Sequence, residues 1–269
     1  MRVALVNPAW SFDGSIYFGC REPHLPLELG YAAALLEAAG HEALLLDGAL
    51  MSLDNGQLAE RAILFDAEMT VVTTAPTYLF WRCAQPELKV PHELFRLLGM
   101  AGGTKVAIGP HASATPRAAL HKLGCDIVIR GESEEAIVEI ANGIPPKRIV
   151  GLAFEEDGQV LLTGKARAVR FTDLPSLRWP KDWLTRHAHH HHRFGTEASG
   201  PGAEVEASRG CPYHCSFCAK IDYRDSYRRR DLDLALSEID GLIEAGVTYI
   251  YFVDEIFLPN RPLLEALAE

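Results

Sequence analysis

Residues Ser208 to Lys220 read Ser-Arg-Gly-Cys-Pro-Tyr-His-Cys-Ser-Phe-Cys-Ala-Lys, and this loop constrains the chain more than any other stretch. Its thiols, Cys211, Cys215 and Cys218, follow the spacing C-x3-C-x2-C and are three of only six cysteines. Soft thiolates on one short loop can converge on one centre, and they suit an iron–sulfur cluster, Zn or Cu(I). A structural Zn site closes with four ligands, and a cluster on four cysteines is coordinatively complete. No cysteine follows Cys218. Three thiolates therefore point to a cluster with one iron left open for a substrate or cofactor. The competing readings are a Zn site completed by His214 or by the histidines upstream, and a chance grouping of cysteines.

Composition narrows the setting. With 269 residues, 48% hydrophobic and 23% charged, the chain is long enough for one large globular domain or two ordinary ones. A formal charge of −10 argues against a nucleic-acid partner, which needs a basic face. Arg224 and Arg228 to Arg230 are a local exception and read as solvated. No apolar run is long enough for a membrane-spanning helix, and the start, Met-Arg-Val-Ala-Leu-Val-Asn-Pro, is too short for a signal peptide. Cys20, Cys83 and Cys125 are scattered, which is no disulfide framework; a reducing cytoplasm is expected.

The first half alternates. Strands are expected at Val3–Val6, Glu42–Leu46, Met69–Thr73, Lys105–Ile108 and Cys125–Ile129. Helices are expected at Leu27–Ala39, Leu58–Phe65, Glu87–Met100, Thr115–Leu123 and Ser133–Ala141, with Gly40 as a C-cap and Thr115-Pro116 as an N-cap pair. This pattern predicts a parallel, doubly wound sheet, whose ligands bind beyond the carboxyl ends of the strands. Those ends carry Asn7-Pro8, Thr73-Thr74, Gly109-Pro110-His111 and Arg130-Gly131-Glu132. Neither G-x-G-x-x-G after the first strand nor a Walker A sequence occurs, so a nicotinamide dinucleotide is not expected.

Ile149–Phe154 and Val160–Leu162 read as a hairpin, and residues 165–200 as a linker or strap holding His187 and the run His189–His192. Ala203–Ala207 is a strand leading into the cysteine loop. Leu232–Ala245 is a helix, Val247–Val253 a strand ending at Asp254-Glu255, and Asn260-Arg261-Pro262 opens a last helix. A metal loop between strand and helix, followed by a second β/α unit, is the start of a parallel barrel, where chemistry sits at the carboxyl ends of strands. A whole barrel needs about 200 residues or more, so a truncated barrel is expected, with most of the substrate pocket missing.

The loop resembles the signature of the radical S-adenosylmethionine (SAM) superfamily, C-x3-C-x-aromatic-C. Asn7-Pro8, Leu25 to Tyr31, Gly109-Pro110-His111 and Gly131-Glu132-Ser133-Glu134 resemble the cobalamin-binding domain that precedes it in the B12-dependent class. The resemblance implies an α/β protein with a Rossmann or flavodoxin-like cobalamin domain at 1–145, a hairpin and linker at 146–200, and the beginning of a partial radical SAM barrel at 201–269. It implies a [4Fe–4S] cluster on Cys211, Cys215 and Cys218, SAM on the open iron, and cleavage to a 5′-deoxyadenosyl radical. Asp254 and Glu255 would hold the methionine ammonium of SAM, and Tyr213 and Phe217 would pack on its adenine. Cobalamin would lie against Asn7, Pro8, Thr73, Thr74, Gly109, His111, Gly131 and Glu132. The Asp-x-His-x-x-Gly of histidine-ligated cobalamin proteins is missing: Glu22-Pro23-His24 comes nearest, so His24 and His111 read as loop or packing residues rather than cobalt ligands. Methyl transfer to an unactivated carbon of a small-molecule or natural-product substrate is the implied reaction, with a flavodoxin or ferredoxin type of electron donor. Oxidation, cyclisation or rearrangement without methyl transfer, and a Zn-stabilised binding module without catalysis, are the alternatives.

Overall fold

The computed structural model describes residues 1–10, 23–76, 88–100, 102–187, 200–216, 226–257 and 260–268. Short apolar runs ending at proline, glycine or aspartate make the strands of the first unit: β1 (Arg2–Asn7), β2 (Glu42–Asp47), β3 (Met69–Thr73), β4 (Thr104–Ile108) and β5 (Ile127–Ile129). They pair in parallel in the order β2-β1-β3-β4-β5, with Val3 beside both Ala43 and Met69. Such continuous apolar strands have both faces covered. On one face, Val3, Leu5, Val71 and Ile108 meet Leu29, Leu36 and Ile137; on the other, Ala4, Val6, Val72 and Val128 meet Leu58, Leu94 and Leu120.

The covering helices are α1 (Leu27–Ala38), α2 (Asn55–Leu64), α3 (Lys89–Leu97), α4 (Pro110–Ala114), α5 (Pro116–Leu123) and α6 (Glu134–Ala141). Helix α2 begins three residues before its apolar periodicity does. Asp54 caps the amide of Gln57 at 2.8 Å while the Gln57 side chain accepts from the Asp54 amide, a reciprocal box that starts the helix in polar residues. Gly109-Pro110-His111, expected as a strand stop, also opens α4, with proline at its first position. The hairpin is β6 (Leu152–Glu156) and β7 (Gln159–Leu162); it continues the first sheet antiparallel to β5, giving seven strands.

The second unit pairs β8 (Gly202–Val205) in parallel with β11 (Tyr249–Phe252), joined through α8 (Leu232–Glu244), the start of the barrel expected. Asp231 caps α8 through the amide of Leu234. After β8, the two-residue β9 (Ser208–Arg209) pairs antiparallel with β10 (Arg228–Arg229), and α9 (Arg261–Ala266) follows β11.

Residues 165–187 are a packed strap. Phe171, Leu174 and Leu177 and, from α7 (Lys181–Arg186), Trp183 and Leu184 fill the space between Leu27 and Tyr31 of α1 and Val205, Ile239 and Leu242 of the second unit. The expectation of solvated arginines after the cysteine loop holds for Arg229, which is exposed, and is corrected for Arg228 and Arg230; Arg224 lies outside the described residues. Arg230 is buried, ion-paired to Glu238 at 2.8 Å, donating to the Leu174 and Pro175 carbonyls and to the Tyr31 hydroxyl. The strap supplies carbonyls and α8 a carboxylate, so the guanidinium is satisfied without water. Burial pushes the Tyr31 phenol far above its usual value, although Arg230 beside it works the other way. Removing one member of such a pair strands the other charge. Glu238→Ala is expected to lower unfolding free energy by about 3–5 kcal/mol in urea denaturation.

Candidate functional site

The first sheet changes direction between β1 and β3, the place where flavodoxin-like sheets bind their ligands. Asn7 ends β1 there. Its amide nitrogen donates to Asp47 at 2.7 Å, and its carbonyl oxygen accepts from Thr73 Oγ1 at 2.9 Å and Trp10 Nε1 at 2.8 Å. Asn7 and Thr73 thus knit three strand ends together, with Pro8 buried beside them. Burial raises Asp47 to about 6, against the hydrogen bonds that it accepts from Leu50, Asn7 and Ala49. Thr74 Oγ1 donates to the Ile108 carbonyl at 2.7 Å and lies against Gly109, where a Cβ would come within 2.9 Å of it and φ is +106°. Only glycine fits that approach at that φ. Ser113 of α4, which no sequence signal singled out, donates to the Gly109 carbonyl and accepts from the Gly131 amide, both at 2.9 Å. The β4 and β5 ends are joined through this one hydroxyl. His111 is half-buried on α4.

Gly131 bridges to the strap: at φ +83° its Cβ position lies 2.2 Å from the Arg167 carbonyl oxygen. That close approach lifts Glu132 and Glu134 toward the cysteine loop. The fully buried Arg209 of β9, two residues before Cys211, donates to Glu134 at 2.7 Å and to Glu206 at 2.7 and 3.1 Å, with Glu132 3.4 Å away. Its guanidinium lies 4.8 Å from the Phe171 ring centroid. Glu132 also takes Arg228 of β10 through both carboxylate oxygens, one of them at 2.8 Å, and the Val169 amide at 2.9 Å. Burial works against ionisation of Glu132, and Arg228 and Arg209 outweigh it, holding the carboxyl at about 2. The oxygens of Glu132 therefore bind protein partners from the strap, the cysteine loop and the segment after it.

The acidic pair following β11 meets the cysteine loop from the other side. Asp254 accepts the Ala207 amide at 3.0 Å and a short hydrogen bond from the Ser208 hydroxyl. Glu255 accepts the Gly210 amide at 2.8 Å, immediately before Cys211. Gly210 sits at φ +84°, a conformation that favours glycine. Cys211 is half-buried, Cys215, Tyr213 and His214 are exposed, and both cysteines are thiols rather than half-cystines. Cys218, Phe217 and His189–His192 lie outside the described residues. The described part thus puts two thiols past the end of β8 on a backbone clamped by Asp254, Glu255 and Arg209. A thiol pair presented this way suits a soft metal centre.

No family model matches the chain. An uncharacterized methyltransferase of Pyrococcus horikoshii is 26% identical over 274 residues, covering 97% of this chain and 55% of the relative. The anaerobic magnesium-protoporphyrin IX monomethyl ester cyclase of Cereibacter sphaeroides is 27% identical over 275 residues, covering 97% and 42%. The chain spans about half the length of these curated relatives. Among solved structures, the radical SAM methyltransferase TsrM of Kitasatospora setae, with cobalamin and a [4Fe–4S] cluster bound, superposes with a TM-score of 0.75 at 19% identity, over 99% of this chain and 51% of that one. The cobalamin-dependent SAM radical enzyme OxsB superposes with a TM-score of 0.72 at 19% identity, over 95% and 34%. The fold is that of cobalamin-dependent radical SAM enzymes. The sequence likeness to the methyltransferase and the cyclase runs over nearly the whole chain, at 26% and 27% identity.

Burial raises Asp254 to about 6, although the hydrogen bonds from Ser208 and Ala207 oppose the shift. A carboxyl raised in the fold weakens stability as pH climbs through that window and restores it as pH falls. Between about pH 7.5 and pH 5, the wild type is expected to gain about 1–1.5 kcal/mol over Asp254→Asn in unfolding free energy. Parallel stability curves for the two proteins would contradict this assignment.

Proposed function

We propose that this chain is the cobalamin-binding and cluster-bearing portion of a radical SAM enzyme, and that its reaction is methyl transfer to an unactivated carbon of a small molecule. The observation that carries the reading is the cysteine loop. It follows the first barrel strand, is clamped by carboxylates from the end of the next strand, and is tied by Arg209 to the Glu132–Glu134 loop of a flavodoxin-like sheet.

Cys211, Cys215 and Cys218 are the ligands for a [4Fe–4S] cluster. Their donor chemistry fits, because three thiolates leave one iron of such a cluster open. When bound, the cluster supplies the electron that cleaves SAM, and cobalamin supplies the methyl group. The protein's own part is placement and exclusion of water. Asp254, buried, shapes the loop through Ala207 and Ser208. Glu255, half-buried beside Gly210, is the carboxylate of the pair that an incoming ammonium can reach. On the cobalamin side, Asn7, Thr73, Thr74 and Gly109 offer small, uncharged groups. His24 is turned to Glu204, which fits a cobalt with no histidine from that position. Reduction calls for an external donor of flavodoxin or ferredoxin type.

Protein purified without oxygen is expected to hold about four iron and four sulfide per chain, lost in Cys215→Ala. With dithionite and SAM it should release 5′-deoxyadenosine. Stoichiometric Zn without sulfide would sink the radical reading and leave a Zn-stabilised binding module. The likeness to a cyclase favours a second reading, ring formation without methyl transfer. SAM with a deuterated methyl group separates the two: label in the product means methylation, and 5′-deoxyadenosine without label in the product means the second reaction.

A further inference from the structure

Among the described residues five glutamates are buried: Glu132, Glu134, Glu204, Glu206 and Glu238. Four of them face an arginine, either Arg209, Arg228 or Arg230. Glu204, on β8, faces two histidines instead. Its Oε1 lies 2.5 Å from His24 Nδ1, its Oε2 2.6 Å from His187 Nε2, and its further partner is the Leu25 amide at 3.2 Å. The three side chains are 6%, 0% and 1% exposed for His24, His187 and Glu204. They come from separate parts of the chain: the approach to α1, the residue capping α7, and the strand that leads to the cysteine loop. Their ligand atoms all lie within 4.8 Å of one another.

Among the described residues no arginine or lysine pairs with Glu204, and a buried carboxylate requires positive charge from elsewhere. The His187 ring has its own unmet need. It is wholly buried; Nε2 pairs with Glu204 at 2.6 Å, and Nδ1 makes no hydrogen bond. Buried polar atoms left this way call for an ion or a water. Gly202 packs on the same ring, where a Cβ would stand 3.1 Å from Nδ1, tighter than an ordinary contact.

We propose that His24, His187 and Glu204 bind a divalent transition-metal ion of the Zn type, at a site separate from the cysteine loop. Two imidazoles and a carboxylate are a recurrent donor set for such ions, and three protein ligands leave a fourth position open. Donors around a tetrahedral ion with bonds of 2.0–2.1 Å stand about 3.3 Å apart. The imidazoles must therefore part from the carboxylate by somewhat under an ångström, a movement within reach of side-chain rotation. The ion would rivet the approach to α1 and the strap onto β8, so its role is to hold the two units in register.

The test uses the full chain with Cys211, Cys215 and Cys218 changed to serine and His189–His192 to alanine, which removes the other metal-binding groups. One Co(II) per chain is expected, with visible d–d absorption of a low-coordinate site, displaced by Zn(II). Zn(II) should also raise the melting temperature, because it binds the folded state. Glu204→Gln and His187→Ala should each lose the bound ion and the temperature shift, with circular dichroism checking that they fold. No bound ion and no temperature shift in the parent would overturn the site, whether or not the variants fold. Retention of the ion in both folded variants would also overturn it. Binding seen in the chain that keeps His189–His192 but absent from this parent would mark the metal as adventitious only.

Discussion

Arg209 is the contact on which the joint depends. It is wholly buried, two residues before the first metal-loop cysteine, and it gathers Glu132 and Glu134 from the first sheet with Glu206 from its own unit. Buried ion pairs often add little net stability against an apolar replacement, but they are unforgiving of mismatch. Three carboxylates and the two guanidiniums of Arg209 and Arg228 can be satisfied in one arrangement, and any slide between the units strands a charge. The network works as a registry device: it fixes where the cysteine loop stands relative to the ends of β4 and β5. The apolar strap around Phe171 and Trp183 then excludes water from it.

Much of this was legible in the sequence. The alternation of apolar runs with helical segments is local, and proline, glycine and aspartate marked most strand ends. The cysteine spacing and the Asp254-Glu255 pair lie in short stretches that stand out without a fold. What escaped reading is long-range. Arg230 looked like one more solvated cation because its acceptors include strap carbonyls some 55 residues earlier and the Tyr31 hydroxyl at the other end of the chain. Glu132 looked like a ligand contact because nothing near it in sequence shows that Arg228, 96 residues on, claims both its oxygens. The early start of α2 was readable in principle, since Asp54 and Gln57 form a capping pair, but apolar periodicity passes over polar first turns. Ser113 carries no signal at all: its importance comes from lying between two glycines that only the folded sheet brings near each other.

The two sheets also differ in what their ends are made of. At the first, buried polar side chains are spent on one another, as Asn7 is on Asp47, Thr73 and Trp10. At the second, carboxylates hold backbone amides directly before the thiols. Fixed hydrogen bonds of the first kind lock side chains against one another at the strand ends. Amide clamps of the second kind set the backbone path of the loop that carries Cys211 and Cys215. Each end is rigid for a different purpose, and the strap lets them face each other without a direct strand pairing between the sheets.

The Gly131 crossing of Arg167 has a consequence for how freely such units could be recombined. Because the strap backbone lies against Gly131, and Glu132 points past it to Arg209 and Arg228, the acidic loop of the first unit is finished only by parts of the second. Expressed alone, the first sheet would carry Glu132 and Glu134 side by side with their arginines missing. Grafted onto another barrel, it would need a buried arginine at the same height. The halves are thus not interchangeable cassettes: a lineage that swaps one must carry the matching charges across with it.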